Sequence, residues 1–167
     1  MANKHNFTPA EWTKVLESTM MAGVAISAAD PSGLWGTLQE FIANSAALDA
    51  SKLHPNANEL VKAVVADFQT TQARSDIQKA LRERFANATD PADCVQRSLG
   101  SLREVSAIVD AKAPGDAPAF KAWLCGISQK VAEAAVEGGF LGLGGVRVSD
   151  AETATLGEIA NALGSPA

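Results

Sequence analysis

The sequence predicts an all-α fold, a single-domain bundle of about seven helices, on three observations. Apolar residues recur at spacings of three and four through most of the chain. No segment sustains the period-two alternation of a half-buried strand. Capping signatures punctuate the helical stretches at Thr8, Asp90 and Ser149.

The elements follow in order. Residues 1–7 read as a flexible tail. TPAE at Thr8 to Glu11 supplies a capping Thr, a Pro at the first helical position and a Glu three residues after the cap, so a helix starts there. Trp12, Val15, Leu16, Met20 and Val24 give it one mainly apolar stripe, and it stops at Asp30-Pro31-Ser32-Gly33, where Pro31 disfavours helical geometry at Asp30. A second helix is expected over Leu34 to Leu48. A third follows His54-Pro55-Asn56, with Leu60, Val61, Val64, Val65 and Phe68 inside. The fourth opens at Ser75 and carries Ile77, Leu81 and Phe85.

DPAD at Asp90 to Asp93 opens the fifth, whose inner face is Val95, Leu99, Leu102, Val105 and Val109. Ala113-Pro114-Gly115-Asp116-Ala117-Pro118 is the best linker signal in the chain, and a sixth helix follows with Phe120, Trp123, Leu124, Ile127 and Val131. SDAE at Ser149 to Glu152 is a capping-box pattern for the seventh, which carries Leu156, Ile159, Ala160 and Leu163. Val146-Arg147-Val148 is too short to build a sheet. Helices of these lengths on short loops bury their stripes against one another, which favours a bundle.

Composition bounds the function. With 167 residues, 47% hydrophobic and 20% charged, the chain suits one domain with a real core. A net charge of -5 argues against a nucleic-acid partner held by a cationic face. The one denser basic spot, Lys79, Arg82 and Arg84, is offset by Asp76 and Glu83 and reads as a solvated helix face. No apolar run approaches the roughly 18 residues of a membrane span, and no secretory signal is recognisable. The expected location is cytoplasmic. Cys94 and Cys125 then read as two reduced core thiols. Trp12 and Trp123 fall on apolar stripes, whereas Trp35 follows a turn.

Catalysis has little support. His5 and His54 lie in the tail and before a proline, no nucleophile motif accompanies them, and the paired ExxH helices of di-iron bundles are missing. The expectation is a protein that is not an enzyme.

The most distinctive stretch is EGGFLGLGGVRVSDAE, Glu137 to Glu152. It lacks the GxxxxGK[ST] of a phosphate loop and the strand-borne GxGxxG of a dinucleotide site, and Asp150 and Glu152 would repel an anion at the following helix. It reads as a helix end and a wide corner, with Gly138 or Gly139 in a left-handed cap and Phe140, Leu141, Leu143 and Val146 packed back on the bundle. The alternative is that Phe140, Leu141 and Leu143 stay exposed and form a patch for self-association or another protein.

An internal echo links the two ends of the chain, over residues 8–48 and 116–164. VAISAAD at Val24 to Asp30 lines up with VAEAAVE at Val131 to Glu137, and upstream Leu16 meets Trp123 and Met20 meets Ile127. Each helix ends at an acid and enters a glycine-containing turn. A helix with a glutamate follows, Glu40 in the first unit and Glu158 in the second. This is the pattern of a duplicated helix-turn-helix unit.

A small-residue helix ending in an acid, then a Gly turn, then a helix bearing Glu resembles the TerB-like family associated with tellurite resistance. That family carries ADG followed some residues later by E. Here the first unit reads AAD at Ala28 to Asp30, then Gly33 and Glu40, and the second reads EAAVEGG, then VSDAE. Pro31 follows Asp30 where the family has glycine, and Glu137 stands where it has Asp. The resemblance spans nearly the whole chain and implies an all-helical, non-catalytic bacterial stress-response protein that binds metal ions through its acidic turns. Asp30, Glu40, Glu137, Asp150 and Glu152 are the candidate ligands, and carboxylates with free carbonyls suit a hard divalent cation, Ca²⁺ or Mg²⁺. A simpler role is open for three of them. Asp150 and Glu152 fit the first turn of a helix, where acids complement the dipole, and Asp30 fits a cap. The alternative function is an interaction or self-assembling module with no bound ion.

Overall fold

A computed structural model describes residues 2–29, 58–88, 90–137 and 148–164. The helix expected over Leu34 to Leu48, Trp35 within it, and the glycine corner at 138–147 lie outside the described residues.

Among the described residues all regular structure is helical, with six α-helices. They are α1 (Pro9–Ala29), α2 (Glu59–Phe68), α3 (Thr71–Phe85), α4 (Pro91–Lys112), α5 (Ala117–Glu137) and α6 (Asp150–Leu163). A 3-10 turn, Lys4–Asn6, precedes them in the stretch read as a tail. It places Phe7 7% exposed, with its ring 5.5 Å from that of Trp12. No helix among the described residues is long and apolar enough to cross a membrane.

The caps form where local chemistry dictates. Thr8 Oγ1 accepts from the Glu11 amide at 3.2 Å, and Glu11 carboxylate accepts from the Thr8 amide at 2.7 Å. Asp90 caps α4, with Pro91 following it at the first helical position. The start of α3 differs from expectation: Thr70, not Ser75, is the capping residue, and its hydroxyl accepts from the Ala73 amide. The short polar run ahead of Ile77 has no apolar period to mark the first turn. Pro118, expected in a linker, lies in the first turn of α5, where a missing N–H costs nothing.

α1 is the hub. It packs against each of the other described α-helices, most extensively against α4 and then α5. The sequence spacing predicts one apolar stripe, but the structure buries every residue from Val15 to Ile26. The reason is composition: apart from Glu17 this stretch holds only apolar, small or hydroxyl residues, and a helix apolar all round is one surrounded by others. Its hydroxyls turn back on their own helix, Ser18 Oγ donating to the Val15 carbonyl at 2.6 Å and Thr19 Oγ1 to that of Leu16 at 2.8 Å.

Glu17 is 2% exposed and sits in a forked ion pair, Arg84 Nε donating to Oε1 at 2.6 Å and a second guanidinium nitrogen to Oε2 at 3.1 Å. Arg84 therefore leaves the basic face assigned to it, while Lys79 and Arg82 stay exposed. The expected inner faces of α2 and α4 are buried as predicted, and Phe120, Leu124, Ile159 and Leu163 complete the core from α5 and α6. Trp12 is a core residue whose indole N–H donates to Asp67 Oδ2 at 2.7 Å. Trp123 is half-buried.

Candidate functional site

The expected ion ligands divide. Asp30 and Glu40 lie outside the described residues, as do Phe140, Leu141 and Leu143 of the expected apolar patch. Glu137 is the last residue of α5. Asp150 and Glu152 both occupy the first turn of α6, yet Asp150 is exposed and Glu152 is only 4% exposed. Two positions apart on a helix, they project in different directions. Among the described residues no three His, Cys, Asp or Glu side chains gather as a metal-binding group.

Glu152 carries the unusual chemistry. Ser149 Oγ accepts from the Glu152 amide at 3.2 Å, and Glu152 Oε2 accepts from the Ser149 amide at 2.8 Å and from its hydroxyl at 2.9 Å. This is the capping box that SDAE encodes. It occupies only one carboxylate oxygen. The other, Oε1, is buried with no hydrogen-bond partner among the described residues. Burying an acceptor without a partner costs about 1–3 kcal/mol, and more when the group is charged. The positive end of the α6 dipole offsets part of that cost. A bound cation or a donor would offset more.

A second feature escapes the sequence motifs. The last turns of α4, one face of α5 and one face of α6 enclose a groove of about 1000 Å³. Its walls are small: Ala122 and Cys125 on α5 face Gly157 and Ala160 on α6. Lys121 lines it with its side chain 10% exposed, and its Nζ donates to Asp110 Oδ2 at 2.7 Å. The sequence did hold a signal for Lys121, which stands directly after core Phe120 and three residues before core Leu124, within the apolar face of its helix.

The two thiols are unlike. Cys94 on α4 is fully buried, and burial pushes its thiol up from the ordinary value. Cys125 is half-buried on the groove wall, so the expectation of two core thiols holds for Cys94 alone.

Together these features describe a helical bundle with a buried acidic cap at one helix start and a small-residue groove along two helices. A scan of protein-family models finds no match to the chain, and comparisons with curated proteins and with solved structures find none either.

Proposed function

We propose that the chain is a non-catalytic helical protein of the TerB-like kind, of the sort associated with bacterial stress response and tellurite resistance, that binds a hard divalent cation, Ca²⁺ or Mg²⁺, at the start of α6. The observation that carries this reading is Oε1 of Glu152, a carboxylate oxygen withdrawn from water with no hydrogen-bond donor to it among the described residues. A cation beside it converts that cost into an attraction, and hard cations take carboxylate oxygens together with backbone carbonyls and water. Glu152 supplies one ligand. The resemblance assigns Asp30, Glu40 and Glu137 as the acids that complete the set, while exposed Asp150 serves the helix dipole.

Calorimetric titration of chelator-treated protein with Ca²⁺, Mg²⁺, Mn²⁺ and Zn²⁺ tests this, repeated on Glu152→Gln. Glutamine at the third helical position keeps the capping box and removes the charge. Saturable binding of Ca²⁺ or Mg²⁺ that Glu152→Gln weakens at least tenfold is the expected outcome. No heat with any ion, together with an unchanged melting temperature, would overturn it. The alternative of an ion-free interaction module rests on Phe140, Leu141 and Leu143, outside the described residues.

A further inference from the structure

We propose that the groove between α5 and α6 is a binding site for a small amphiphilic carboxylate, with Lys121 receiving the anionic head and the two helix faces holding the apolar body. The walls supply the first half of the argument. Ala122, Cys125 and Gln129 recur along α5 at spacings of three and four, and Thr153, Gly157 and Ala160 do so along α6, so two helix faces look into one space. Because Ala122, Cys125, Gly157 and Ala160 are short, they do not fill it. A β-carbon placed at Gly157 would meet nothing within 4 Å. The resulting volume, about 1000 Å³, matches the upper end of pockets that hold small molecules, about 300–1,000 Å³.

Lys121 supplies the second half and selects the charge. An ammonium has three protons to donate, and among the described residues Asp110 is the one acceptor that Lys121 meets. Two donors of a group nine-tenths buried are left without an acceptor among the described residues, on a side chain that borders a groove whose lining is mostly apolar. An all-apolar occupant would seal those donors away from water without satisfying them. A carboxylate satisfies them with charge-assisted hydrogen bonds. Asp110 lines the groove as well, but its side chain is 58% exposed, so water screens its charge more than it does that of the ammonium. With one carboxylate already on the ammonium, a ligand with a single negative charge and a neutral body fits better than a polyanion.

The test is calorimetric titration of the full chain with octanoate, using 1-octanol as the neutral control of equal length. Octanoate should bind with one-to-one saturation and at least about tenfold more tightly than octanol, the lower end of what a charge-assisted hydrogen bond contributes. Lys121→Met keeps the aliphatic stem and should remove that tenfold preference. Gly157→Phe places a ring in open space, improves helix propensity over glycine and should abolish binding while helical circular dichroism is unchanged. On the wild-type chain, which needs no variant to fold, octanoate should slow alkylation of Cys125 by iodoacetamide. Equal affinity for octanol, affinity unchanged by both substitutions, or Cys125 alkylation unaffected at saturation would each overturn the proposal. So would sedimentation of the wild-type chain as a dimer that Gly157→Phe converts to monomer, which would give the groove to a second copy.

Discussion

The Glu17–Arg84 pair shows what one residue's environment decides. Glu17 is the sole charged residue between Lys14 and Asp30, set on the helix that the rest of the bundle encloses. Its carboxylate is tolerated there because the guanidinium fork meets both oxygens, and that hydrogen bonding in turn raises the Arg84 pKa above its ordinary value. Replacing Arg84 with Met leaves the carboxylate buried without its counter-charge. Breaking a buried pair in this way costs about 3 kcal/mol, taken at the low end because the Arg84 side chain is 25% exposed. Urea denaturation measures it, and Glu17→Gln combined with Arg84→Met should recover part of the loss. A single-variant loss below about 1 kcal/mol would refute the assignment. The sequence showed an isolated acid in an apolar run, a readable oddity. It did not show the partner, 67 residues away, because local spacing reports which face a residue occupies and not what stands opposite. Arg84 stands in a run with exposed Lys79 and Arg82 and gave no local sign of turning inward. Glu152 was legible as a cap from SDAE alone, but its buried second oxygen depends on neighbours that no motif records.

At the level of elements, the best-read features were those encoded within four residues. The boxes at Thr8 and Ser149 and the Asp90 cap stand where the sequence placed them, because each is a reciprocal contact among adjacent groups. The start of α3 was misread because its first turn is polar. The groove was not legible at all, since it arises where the short side chains of two helices meet across space rather than from either helix alone. The cap of α1 has a consequence for acid stability. Glu11 has its pKa lowered from 4.5, first by the hydrogen bond from the Thr8 amide and further by the Thr8 hydroxyl and Lys112. A carboxylate whose pKa is lower in the folded chain contributes stability above its unfolded value and loses it as pH falls through the folded one. Thermal melts of the wild type and Glu11→Gln should therefore differ by a constant amount above about pH 5, with the wild type the more stable. The gap should close on further acidification. A difference that stays constant from about pH 6 to about pH 2 would mean that the Glu11 charge adds nothing to the cap.

Across the whole molecule, the arrangement around α1 sets which parts can open independently. Every residue from Val15 to Ile26 is covered, and the covering comes from all of the other described α-helices, so exposing those amides requires dismantling the bundle. α3 is the opposite case: it buries Ala73, Ile77 and Leu81 along one side, with the Arg84 fork as its polar tie to α1. Stability in folded proteins is distributed according to such differences in buried contact, and segments with few of them exchange through smaller openings. Native-state hydrogen exchange should therefore find the central amides of α1 exchanging at the free energy of global unfolding. Those of α3 should exchange at least tenfold faster relative to their intrinsic rates, a gap of about 1.4 kcal/mol. Arg84→Met should lower both free energies by a similar amount and leave the gap unchanged, because the fork that joins α3 to α1 is broken when α3 opens alone as well as on global unfolding. If instead α1 and α3 exchange at one common free energy in both proteins, α3 is part of the same cooperative unit. The fork would then be a contact within that unit and not the tie that holds α3 against it.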